Sequence, residues 1–162
     1  MESTKNITGT VQETAAGANL LFPVFLKLEN LQVLLVGGGK VGLEKLTAIL
    51  QNAPKTAVTV VSLEFKEELR ELAKQYPVVT LLQKPFSVAD LDNKDLAIVA
   101  VNDKEISLAI REAAKDKKIL VNVADTPEQC DFYLSSIVQK GNLKIAISTN
   151  GLSPTAAKRI KE

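Results

Sequence analysis

The chain has 162 residues, 46% of them apolar, which is enough for one substantial core and too few for two large domains. Its 20 lysines and arginines nearly balance 19 aspartates and glutamates, so no whole-molecule field selects a nucleic acid or a membrane surface. Histidine is absent and Cys130 is the one cysteine, which excludes an intrachain disulfide, a thiolate cluster and histidine-based proton or zinc chemistry, and suits the cytoplasm.

In chain order, residues 1–19 are rich in Thr, Ser, Gly, Glu and Ala without a sustained apolar period and read as a flexible tail. No apolar run reaches bilayer-spanning length, and the start lacks the basic and apolar segments of a signal peptide, so a soluble protein is expected. Residues 31–36 (LQVLLV) form a short apolar run ending in glycines, the pattern of a doubly buried parallel strand. Val41, Leu46, Ile49 and Leu50 then recur at helical spacing until Pro54 closes off a helix that ends near Gln51.

Residues 57–62 give a second strand, and 64–75 a helix with Phe65, Leu69 and Leu72 on one face, broken at Tyr76-Pro77. A third strand at 78–83 leads through a short, irregular connection containing Pro85 and Asp90 to a fourth at 96–101. A helix over 104–117, with Arg111 on its exposed face, precedes a fifth strand at 119–123. Strands alternating with helices predict an α/β fold, a Rossmann-like doubly wound parallel sheet, over residues 20–131.

The rhythm changes at 132–162. Runs at 132–139 and 143–149 flank Lys140-Gly141-Asn142 and predict a hairpin, after which Ser153-Pro154 supplies an N-cap and first helical residue for a short helix.

Gly37-Gly38-Gly39-Lys40-Val41-Gly42 has G-x-G-x-x-G spacing between a buried strand and a helix. In that context Gly37 makes the tight turn, Gly39 lets backbone approach a diphosphate, and Gly42 allows close helix packing, so a dinucleotide is expected. After the second strand the nearest carboxylate is Glu64, which either grips the adenosine ribose or is a solvated residue in a first helical turn. No arginine stands there for a 2′-phosphate, which favours NAD over NADP. Asp125 lies just beyond the fifth strand, at the edge where such sheets place ligands; it either serves a ligand or shapes the turn with Thr126 and Pro127.

With those residues in view, the chain resembles the precorrin-2 dehydrogenase and sirohydrochlorin ferrochelatase family. The resemblance runs through Leu21-Phe22-Pro23-Val24-Phe25, the GGGKVG turn with Lys45, Ala100-Val101-Asn102-Asp103, Asn122-Val123-Ala124-Asp125, and Ser148-Thr149-Asn150-Gly151-Leu152-Ser153-Pro154. It implies an enzyme that uses NAD to oxidise precorrin-2 to sirohydrochlorin and often then inserts ferrous iron. The family's central aspartate falls on Asp125. Cofactor contacts fall on Lys40 and Val41, on Leu63 and Glu64, and near Asn102.

Gly151 and Ser153 lie where a helix start could hold one of the eight substrate carboxylates, although helix capping explains Ser153 equally well. Val101 replaces a common threonine and removes a hydroxyl from the nicotinamide side, whereas Gly42, in place of a common alanine, keeps the turn intact. Related enzymes continue past the position of Glu162 into a helical segment, so the substrate site is expected to be incomplete in one subunit. The free edges of the hairpin predict a homodimer. No nucleic acid, membrane partner or resident metal is expected. Two other readings stay open: a non-catalytic NAD-sensing regulatory domain of the same fold, and iron insertion without oxidation.

Overall fold

A computed structural model describes residues 19–150. The expected tail, apart from Asn19, and the expected helix start at Ser153-Pro154 lie outside the described residues. The chain divides into two compact units, one of residues 25–135 and one of residues 1–24 and 136–162.

The larger unit is a five-stranded parallel sheet. Its elements are β1 (Gln32–Val36), α1 (Lys40–Asn52), β2 (Ala57–Ser62), α2 (Glu67–Gln75), β3 (Val79–Gln83), β4 (Leu96–Val99), α3 (Lys104–Asp116) and β5 (Leu120–Val123). The strand order is β3-β2-β1-β4-β5. The chain therefore winds outward from β1 in one direction, returns, and winds outward in the other, leaving a topological switch point between β1 and β4.

Because side chains alternate along a strand, β1 serves two cores. Val33 and Leu35 pack with Leu46, Ile49 and Leu50 of α1 and Leu69 of α2. Leu34 and Val36 pack with Ile110 and Ala114 of α3. A leucine fully withdrawn from water, as Leu34, Leu35 and Leu46 are, contributes about 2 kcal/mol. Burial on both faces is why these strands read as continuous apolar runs.

Helix α2 begins at Glu67, three residues after its expected start. The Lys66 N–H donates to the Gly38 carbonyl at 2.9 Å, so the segment after β2 crosses the glycine turn before it can coil. Helix α3 ends without glycine: Lys118 takes φ +59°, its N–H reaches Lys115 O, and the Ile119 N–H reaches Ala114 O, both at 2.9 Å. This is a Schellman closure, sealed by burial of Ile119.

Between β3 and β4 the chain makes only a short 3₁₀ turn, Val88–Leu91. Its capping box joins Ser87 and Asp90, and Lys84 Nζ lies 2.6 Å from Asp90 Oδ2. Burial pushes the Asp90 carboxyl up, but the Lys84 ammonium and the Ser87 amide outweigh it and hold the group below its ordinary value.

Arg111 departs from expectation. Instead of facing water, its side chain is largely covered; Nε donates to Gln129 O and an Nη to Asp131 Oδ1, both at 2.9 Å. Asp131 in turn accepts from Val121 N–H and donates its own N–H to Val121 O, at 2.9 and 2.7 Å. One side of β5 is thereby finished by a loop rather than by a sixth strand.

The smaller unit holds the hairpin β6 (Ser136–Lys140) and β7 (Leu143–Ile147), paired antiparallel. The turn is two residues long, and of the two only Gly141 has positive φ, +56°, the position at which a type II′ turn requires glycine. In the same unit, Asn19 Nδ2 donates to Ser148 O at 3.2 Å.

Candidate functional site

The carboxyl ends of four neighbouring strands converge on one edge of the larger unit. The register aligns Val36 with Val61 and Val99, and Val99 with Val123. Beyond these residues the loops stay laced together: Gly37 N–H to Val61 O at 2.9 Å, Ala100 N–H to Val36 O at 2.7 Å, and Ala124 N–H to Val99 O at 2.9 Å. Gly37, Gly39, Lys40, Val41, Gly42, Leu63, Glu64, Asn102 and Asp125 all stand on this edge. Gly151 and Ser153 lie outside the described residues.

Within the turn, each glycine answers a different demand. Gly37 has φ +120°, and a Cβ there would lie 2.2 Å from Ala100 O. A Cβ on Gly42 would lie 2.1 Å from Gly37 O, so the alanine common in the family would require that carbonyl to shift, and glycine here does more than keep the turn intact. A Cβ on Gly39 would meet nothing within 4 Å. That position alone among the four faces open space, as an approach to a ligand requires.

The two helix starts on this edge differ. At α3, Asp103 accepts from Glu105 N–H and Ile106 N–H, so the protein caps itself. At α1 the N-cap is Gly39, with no side-chain cap, and the first helical bond runs from Leu43 N–H to Gly39 O. The amides of Lys40, Val41 and Gly42 thus precede the first intrahelical donor and have no intrahelical acceptor. The combination fits a dinucleotide diphosphate.

Leu63 and Glu64 are exposed beside the turn after β2, and Asn102 is exposed beyond β4. Asp125 is exposed beyond β5, in a left-handed turn with φ +58°. Two strand spacings separate β5 from β1, about 10 Å, which sets Asp125 across the switch point from the glycine turn.

The loop that carries Asp125 is fastened from below. The Cys130 sulfur accepts from Val123 N–H at 3.2 Å and lies 3.2 Å from Val123 O and 3.4 Å from Thr126 O. Burial pushes the Cys130 thiol up, against the opposing pull of the Val123 amide, so it stays protonated and serves as a small packing group. Asn122 Nδ2 donates to Phe132 O at 2.9 Å. Among the described residues no three His, Cys, Asp or Glu side chains are grouped to hold a metal.

Sequence reasoning missed the two residues that join the turn to β2. Gly38, given no role by the motif, lacks room for a side chain, since a Cβ would lie 2.3 Å from Glu64 O. Ser62 accepts from the Gly38 N–H at 2.9 Å. The available signal was a fourth glycine, at a position where the motif requires none.

Comparison with known proteins agrees with this geometry. A family model described as "Putative NAD(P)-binding" matches residues 24–136, and one described as "Sirohaem biosynthesis protein central" matches residues 140–162. A siroheme synthase of Pseudoalteromonas translucida is 39% identical over 140 residues, and one of Nitrosomonas europaea 36% over 139 residues. Each alignment spans 86% of this chain but only 29% of the relative.

Among solved structures, SirC, a precorrin-2 dehydrogenase, superposes with a TM-score of 0.70 at 30% identity, covering 87% of this chain and 68% of SirC. The chain belongs to the siroheme synthase and precorrin-2 dehydrogenase family, built on an NAD(P)-binding Rossmann-like domain.

Proposed function

We propose that this chain oxidises precorrin-2 to sirohydrochlorin with NAD, using an NAD-binding domain at 20–131 and a hairpin and substrate region at 132–162. The observation that carries the reading is one sheet edge bearing both an uncapped, glycine-bounded helix start and, across the switch point, Asp125. The names of the relatives, siroheme synthase and precorrin-2 dehydrogenase, support the same substrate.

The oxidation removes a hydride and a proton from the tetrapyrrole. NAD, when bound, supplies the hydride acceptor. Gly37, Gly39 and Gly42 shape the cradle, and the amides of Lys40 and Val41 hold the diphosphate. Leu63 and Glu64 flank the adenosine ribose, with Glu64 favouring NAD over NADP, and Asn102 borders the nicotinamide side. The Asp125 carboxylate takes the proton that leaves with the hydride. Gly151 and Ser153 are proposed to hold a substrate carboxylate.

Incubating the chain with precorrin-2 and NAD is expected to give NADH and sirohydrochlorin in equal amounts. No NADH from a chain that binds NAD would refute the activity and leave a nucleotide-sensing domain. Ferrous iron added to the same incubation tests the metal insertion that the siroheme synthases' product implies, with Asp125 as acceptor of the pyrrole protons.

We also propose a cytoplasmic homodimer. On the hairpin, Val138 pairs with Ile145 beside Leu143 and Ile147, and Leu143 and Ile145 remain 61% and 46% exposed. A two-stranded hairpin is marginal by itself, and a second copy of this apolar face would cover it. Sedimentation at micromolar concentration is expected to give twice the chain mass; a monomer would refute the dimer.

A further inference from the structure

Three hydrogen bonds tie β2 and the segment after it to the glycine turn. Gly37 N–H donates to Val61 O, Gly38 N–H to Ser62 Oγ, and Lys66 N–H to Gly38 O, each at 2.9 Å. Only the second is made by a side chain. Gly38 is buried, so its amide has no water to turn to if that hydroxyl is lost. The Ser62 backbone is itself fixed, its carbonyl accepting from Lys84 N–H at 3.0 Å.

Contact at Gly38 is as close as backbone allows. A Cβ there would meet Glu64 O at 2.3 Å and the Phe65 ring at 2.7 Å, so the 63–65 loop lies directly on the turn. The loop beside the ribose and the turn beneath the diphosphate form one mechanical piece, with Ser62 Oγ as its side-chain pin. Its bond also occupies the Gly38 amide, leaving the ligand to the amides that follow.

We propose that Ser62 is a positioning residue for the dinucleotide: its hydroxyl pins Gly38 and so fixes the spacing between the diphosphate cradle and the Leu63-Glu64 ribose loop. The proposal rests on the dinucleotide site described above. Ser62 acts through Gly38 and contributes no chemistry.

The test is calorimetric titration of the full chain, as wild type, Ser62→Ala and Ser62→Thr, with NAD and separately with ADP-ribose. Ser62→Ala is expected to weaken both ligands by about tenfold, the effect of one lost hydrogen bond to a buried amide. Both should fall by the same factor, because the pin acts on the adenosine-diphosphate half that they share. Ser62→Thr, which keeps the hydroxyl, should bind within roughly twofold of wild type, because the pin needs only that oxygen.

Unchanged binding by Ser62→Ala, or equal weakening by both variants, would overturn the pin. Wild type binding neither ligand would remove the dinucleotide site itself and the proposal with it. Should Ser62→Ala not fold, hydrogen exchange on the wild type decides. The Gly38 amide should be protected before NAD is added, and the Lys40 and Val41 amides should gain protection only with NAD. A freely exchanging Gly38 amide in the absence of NAD would overturn the proposal.

Discussion

Gly37→Ala is expected to destabilise the fold by about 3 kcal/mol or more, lowering the thermal midpoint by roughly 10 °C. Two penalties combine: φ +120° lies where L side chains rarely go, and the new Cβ would sit 2.2 Å from the Ala100 carbonyl oxygen. That oxygen cannot yield easily, because the Ala100 N–H is fastened to Val36 O at 2.7 Å. Gly39→Ala is the matched control, since its Cβ would enter open space. It should unfold close to the wild-type temperature while losing NAD affinity. Thermal unfolding with and without NAD reads both effects, and a Gly37→Ala protein as stable as wild type would contradict the geometry.

Asp125→Asn is expected to lower precorrin-2 turnover by about 10²- to 10⁴-fold, the usual contribution of a positioned acid or base. NAD affinity should stay within roughly twofold, because β5, which carries the residue, stands two strand spacings, about 10 Å, from β1, which feeds the diphosphate turn. Asparagine is a sharper probe than alanine. At φ +58° it tolerates the left-handed backbone as aspartate does, whereas alanine would add strain to the loss of the carboxylate. A residue that merely shapes the turn with Thr126 and Pro127 would be replaced by asparagine without loss. NADH formation measured beside an NAD titration separates the two roles, and retained turnover would remove Asp125 from the chemistry.

The sheet was legible in the sequence because burial on both faces leaves a plain apolar trace, and β2 runs over residues 57–62 as its Val and Thr run implied. The glycine turn was legible because its spacing followed a strand and opened a helix. What could not be read depends on partners far along the chain. The start of α2 is set by Gly38, 28 residues before Lys66, and the orientation of Arg111 by Asp131, 20 residues on. Helical periodicity around Arg111 says only which side of α3 it occupies, and a salt bridge to a returning loop leaves no periodic trace. Ser62 escaped notice because a serine ending a strand has many unremarkable uses, and its acceptor role exists only once the turn is folded against it.

Of the four glycines in the turn, three answer to the protein's own atoms: Gly37 to Ala100, Gly38 to Glu64 and Gly42 to Gly37. Gly39 alone faces open space, and in the proposed site it answers to the dinucleotide. Most of the motif is therefore a record of how the strand meets the helix, and a descendant that had abandoned the nucleotide would be under pressure to keep those three letters. The fourth would be free to drift, so in a divergent copy the residue at position 39 tells whether the site is still in use.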